Sequence, residues 1–109
     1  MLPSTLVTPT AQLIAPHRAL TSCVQCYLAR STLGCTNVSG FNRYPATPLC
    51  SVTWLLSGSM APVENGIVSA QRAHAGEAVF SGPHSAPWAT FNPGPVQFFV
   101  VLFYPDALN

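Results

Sequence analysis

The chain has 109 residues, room for one domain and too few for two. Apolar residues make up 49% and charged residues only 6%, against about 25% charged in ordinary domains, which excludes disorder by charge repulsion. Four Arg, no Lys and three acids leave a net charge of +1, so no basic face exists to grip a nucleic acid, and eleven Pro argue against a helical bundle.

Residues 1–16 are Thr-rich and interrupted by Pro3, Pro9 and Pro16, which predicts an extended arm. Residues 17–109 are expected to form a single β-rich domain. Residues 17–22 follow Pro16 and suit one helical turn. Residues 23–31 (CVQCYLARS) alternate in part with period two and read as a strand, with a short helix as the alternative that period alone leaves open. Residues 36–43 (TNVSGFNR) have the composition of a loop, and 44–48 (YPATP) must be extended because each residue before a proline is pushed out of the α region.

Residues 49–56 (LCSVTWLL) are the clearest strand of the first half. Their alternation places Cys50, Val52, Trp54 and Leu56 on one face, and that set, the more apolar one, is expected to face the core. Residues 59–76 hold one weak strand or a long hairpin connection. Residues 77–81 (EAVFS) and 88–91 (WATF) read as strands, the second closed by Asn92-Pro93-Gly94-Pro95. Residues 96–104 (VQFFVVLFY) are apolar on both faces apart from Gln97, which predicts a central strand covered on both sides. The expected fold class is therefore mostly β, an antiparallel half-barrel or sandwich of five or six strands with one or two short helical turns.

The longest apolar stretch is about half the ~20 residues a membrane helix needs. Residues 1–16 carry no Lys or Arg to open a signal peptide. A cytoplasmic location and no membrane contact are expected.

Cys23 and Cys26 form a C-x-x-C, with Cys35 and Cys50 following. Only one close pair exists, and in a strand its two members fall on opposite faces, which does not suit zinc. Reduced thiols acting as small apolar side chains are expected, with oxidation of Cys35 onto Cys23 or Cys26 as the alternative. His17, His74 and His84 are the only histidines, and none lies in an H-x-H pair. No G-x-S-x-G occurs, and no phosphate-binding loop of the lysine type is possible without a lysine. No catalytic residue, no metal and no cofactor are expected.

Three residues stand out as ligand-binding candidates. The guanidinium of Arg43 could hold a carboxylate bidentately, and Trp54 and Trp88 could line an apolar site. The alternatives are that Trp54 is plain core and that Arg43 pairs with Glu64, Glu77 or Asp106.

Residues 43–58 (RYPATPLCSVTWLLSG) and 80–109 (FSGPHSAPWATFNPGPVQFFVVLFYPDALN) combine several features in a set order. An Arg-aromatic-Pro-Ala run leads into a Trp-bearing strand. A Ser-Gly-Pro turn, an Asn-Pro-Gly-Pro turn and an apolar strand closed by Pro-Asp-Ala follow. In that order the chain resembles the N-terminal regulatory domain of AraC-type bacterial transcription regulators. The resemblance implies a cupin-like β fold that senses a small organic effector, dimerises, or does both. It implies a homodimer and contact with DNA only through a C-terminal helix-turn-helix part, so that the chain is expected to be the regulatory domain in isolation. The alternative functions are a structural self-association module and a small metal-dependent cupin enzyme.

Overall fold

The computed structural model describes residues 9–35 and 40–108. Ten strands are present among them: β1 (Thr10–Ile14), β2 (Val24–Ser31), β3 (Phe41–Tyr44), β4 (Cys50–Ser57), β5 (Ser59–Glu64), β6 (Ile67–Val68), β7 (Ala73–His74), β8 (Ala78–Ser81), β9 (Trp88–Phe91) and β10 (Gln97–Phe103). Two 3-10 turns, Arg18–Leu20 and Pro105–Leu108, are the only helical elements among the described residues. His17 Nδ1 caps the first by accepting from the Ala19 N–H at 3.1 Å.

The strands form an antiparallel sandwich. One sheet runs β1-β2-β10-β4-β8, and the second runs β3-β9-β5-β6 with β7 paired to β5. The segment expected to be an extended arm contributes β1, which pairs along β2 from Thr10↔Ser31 to Ile14↔Tyr27. β10 lies between β2 and β4, as its apolar sequence predicts, through pairs such as Val100↔Leu28 and Val100↔Thr53.

Partners across an antiparallel ladder share a face. Phe98, Val100 and Leu102 of β10 therefore sit with Leu28 of β2 and with Thr53 and Ser51 of β4 on the inner face. The buried core is Leu55, Val96, Phe98 and Val100, with Leu28, Met60, Ala73 and Leu102 against it. Thr32 fastens one end. Its Oγ1 accepts from the buried Val96 N–H at 2.9 Å, and its own N–H donates to the Val96 carbonyl at 2.8 Å. Such bonds matter because a buried backbone donor left alone costs about 1–3 kcal/mol.

Turn chemistry explains how the chain passes between elements. Asn65 (φ 52°) and Gly66 (φ 76°) form the two-residue link of the β5–β6 hairpin, where both central residues need positive φ. Gly58 (φ 85°) is the corner at which the chain leaves β4 in one sheet and enters β5 in the other.

Several sequence expectations are corrected. Residues 36–39 of the expected loop lie outside the described residues, but Phe41–Tyr44 is a strand, held by pairing with β9 rather than by its own composition. Residues 59–76 supply three strands, β5, β6 and β7, in place of one weak strand or a long hairpin connection. The core face of β4 is the opposite of the one expected: Leu55 is 1% exposed and Ser51 8%, whereas Trp54 is 41% and Leu56 58% exposed. Cys50 alone of the expected set is buried. β10 is central, but among the described residues its outer face has no second layer of strands over it. Phe99 instead meets Tyr27 (ring centroids 5.7 Å apart) and Trp54 (6.5 Å) on that surface.

Candidate ligand-binding site

The alternation of strand residues leaves a cavity of about 120 Å3 between the two sheets. Leu28, Phe98, Val100, Leu102 and Val79 make one wall, and Tyr44, Met60, Trp88 and Thr90 make the other. Ser51, Thr53 and Ser81 add hydroxyls to the first wall. A larger recess of about 380 Å3 adjoins it and shares Met60, Val79, Ser81, Trp88 and Thr90 with it. Gln71, Arg72, Glu77 and His84 line this outer part. The arrangement is an apolar chamber opening into a wider vestibule that adds a few polar side chains, the usual make-up of a small-molecule site.

Trp88 stands where the two spaces meet. It pairs with Tyr44 in the β3–β9 ladder, and the two rings stack with centroids 4.4 Å apart. His84 also stacks on the indole, at 4.2 Å and an interplanar angle of 14°. The His84 backbone is pinned by two bonds to Thr47: His84 N–H donates to the Thr47 carbonyl at 2.9 Å, and Thr47 N–H donates back at 3.0 Å. Each aromatic pair of this kind is worth about 0.5–1.5 kcal/mol beyond its buried area.

The three candidates named from the sequence are not brought together. Trp88 lines both spaces. Trp54 lies on the outer surface of the first sheet beside Phe99. Arg43 is exposed on β3, where it pairs with Ala89, one position out of step with the inward Tyr44. Sequence reasoning passed over Tyr44, His84 and the hydroxyl group of residues. The signal available was alternation: once Trp88 is placed inward, Tyr44 and Thr90 follow it by pairing and by period two.

Burial pushes the Tyr44 phenol up from its usual value near 10, while a hydrogen bond with Thr90 and the charge of Arg30 pull the other way. The sign of the consequence is fixed. Above about pH 10 the unfolded chain ionises Tyr44 while the folded chain keeps the proton, so stability should fall as pH rises. Denaturant midpoints compared at about pH 8 and about pH 11 should drop less for Tyr44→Phe than for the parent chain. Equal drops would remove burial as the cause.

Among the described residues no group of three or more His, Cys, Asp or Glu could hold a metal ion. One oxygen of Glu77 accepts from the His74 backbone N–H at 2.6 Å, and the His84 ring stacks on Trp88. All four cysteines are free, and burial raises the pKa of the Cys26 thiol, which makes it a poorer nucleophile and ligand. No helix among the described residues is long and apolar enough to cross a membrane.

Solved structures with this architecture define the class of fold. The Cupin_2 domain of an XRE-family transcriptional regulator from Enterobacter cloacae superposes with a TM-score of 0.64 at 13% identity, covering 91% of this chain and 99% of that one. A putative ethanolamine utilization protein EutQ from Salmonella typhimurium gives 0.62 at 13% identity, covering 89% and 70%. The iron(II) form of HppE gives 0.61 at 15% identity, covering 87% of this chain and 50% of that one. The chain thus has a cupin-like β fold, one shared by a regulator's domain and by proteins of other kinds. No protein-family model matches the sequence, and no curated protein does.

Proposed function

We propose that the chain is a non-enzymatic effector-binding domain of a cytoplasmic, AraC-type bacterial transcription regulator. It takes a small organic molecule between its sheets and acts as a homodimer on DNA-binding units that are not part of these residues. The observation that carries this reading is the apolar chamber between the sheets, with its vestibule and its stacked Tyr44–Trp88–His84 rings. The regulator domain among the fold neighbours and the resemblance of residues 43–58 and 80–109 support it. An effector acts by binding one arrangement of the domain better than another, so differential affinity is what the chamber must supply.

A second reading, a structural self-association module, is favoured by one observation. The outer face of the first sheet exposes Trp54, Leu56 and Phe80, an apolar surface that suits a second copy. The two readings separate in one experiment. A thermal-shift screen over a broad set of small metabolites, run beside analytical sedimentation, should find a compound that raises the melting temperature by several degrees. A ligand at about 100 times its Kd contributes about 2.7 kcal/mol. A dimer in every condition with no stabilising compound would favour the module and sink sensing.

A further inference from the structure

Two side-chain nitrogens, Nε1 of Trp88, which lines both spaces, and Nε2 of His84, which lines the vestibule, are buried and have no hydrogen-bond partner among the described residues. The third such atom, Asn92 Oδ1, belongs to a residue that lines neither space. An indole N–H donates and cannot accept, so whatever meets it must present an acceptor. His84 Nε2 can donate as well in one of its two neutral tautomers. Tyr44 and His84 both stack on the indole, which holds its ring in place.

The surroundings define the rest of the ligand. Beyond Trp88 the chamber is walled by Leu28, Phe98, Val100 and Leu102 and contains no charged side chain. Its volume of about 120 Å3 is close to the ~150 Å3 cavity that accepts a benzene ring. The vestibule adds one cation, Arg72, while Glu77 is engaged by the His74 N–H.

We propose that chamber and vestibule form one site for a compound with a single-ring or short branched apolar body and one acceptor oxygen, of a carbonyl or a carboxylate. The body fills the chamber, and the oxygen accepts from Trp88 Nε1 with His84 Nε2 beside it. This rests on the chamber being a ligand site, as proposed above, and adds what the ligand must carry.

The chain has two tryptophans, and Trp54 is on the outer surface, so Trp54→Phe leaves Trp88 as the single indole reporter. The probes are cyclohexyl methyl ketone, cyclohexanecarboxylate and methylcyclohexane, which share a body and differ in the head. The expected result is saturable binding of the ketone or the carboxylate, about tenfold or more tighter than methylcyclohexane. Calorimetry on Trp88→Phe, which keeps a ring and removes the donor, should erase that preference. A tighter ketone assigns the head to the indole donor alone, and a tighter carboxylate adds the charge of Arg72; either supports the site. If Trp88→Phe does not fold, the indole N–H proton resonance of the Trp54→Phe protein is read instead, and it should move downfield with the ketone and stay with methylcyclohexane. Equal affinity for all three probes, or a preference that survives Trp88→Phe, overturns the donor assignment and leaves the chamber a ligand site. Binding of none of the three overturns the acceptor-head inference. The wider reading falls only if the metabolite screen is blank too.

Discussion

Phe98→Ala should lower the unfolding free energy by about 3–5 kcal/mol, the range for a buried Phe cut back to Ala. Phe98 is 2% exposed near the start of the central strand of the first sheet, paired to Arg30 on β2 and to Leu55 on β4. Its ring belongs to the same cluster as Leu55, Val96 and Val100 and walls the chamber, so truncation removes contacts from both sheets at once. A domain of this size has about 5–15 kcal/mol to lose. The melting temperature should fall by roughly 15 °C or more, given about 4–8 °C per kcal/mol for small domains. Chemical denaturation with matched m-values is the check. A loss under about 1 kcal/mol would mean that the centre of the core lies elsewhere.

Gly58→Ala should cost nearly as much by a different route. Gly58 has φ +85°, a conformation that disfavours a Cβ by about 1–2 kcal/mol. A Cβ there would also come within 2.4 Å of the Pro95 carbonyl oxygen and 3.1 Å of the Val96 Cα, both backbone atoms. The clash falls where β4 hands over to β5 and where Val96 enters β10, so relief must shift one of the sheets. Roughly 3 kcal/mol in total is expected, the sum of a strained φ and an overpacked contact. Gly66→Ala is the internal control. Gly66 has φ +76° but nothing within 4 Å of the added carbon, so only the conformational part, about 1–2 kcal/mol, should appear. Equal losses at the two positions would show that the close approach at Pro95 relaxes at no cost.

The sequence made some parts of this molecule legible and hid others for physical reasons. β10 declared itself by length and by apolar residues on both faces, and its central place followed. β9 and its exit were marked by the Asn92-Pro93-Gly94-Pro95 turn. The faces of β4 run against a reading by apolarity, because its more apolar face is the outer one. The inner face carries Ser51 and Thr53, which line a cavity and so need not be greasy, while Val52, Trp54 and Leu56 go outward. An outer surface already occupied by Tyr27 and Phe99 makes that placement tolerable for Trp54. The same inversion separates Trp54 from Trp88. β3, β6 and β7 were missed because each has two to four residues and owes its shape to a neighbour: β9 for β3, and β5 for the other two. Short segments of this kind carry too little period to be read alone. Of the site, Trp88 was recognised as a candidate from composition, whereas Tyr44 and His84 became visible only when strand pairing and the Thr47 bridge brought them to it.

The place of β10 has a consequence for how the molecule is made. Leu28 and Thr53 lie in strands that are not paired to each other, and Val100 joins them across about 70 and about 45 residues of chain respectively. Pairings so far apart in the chain give a high contact order, for which folding in milliseconds to seconds is the rule. On the ribosome, β2 and β4 emerge well before the strand that will lie between them, and their inner edges stay open until residue 103 has cleared the exit tunnel. For that interval the nascent chain presents one open edge on each of two strands to its surroundings, and it is then that a chaperone has most to protect.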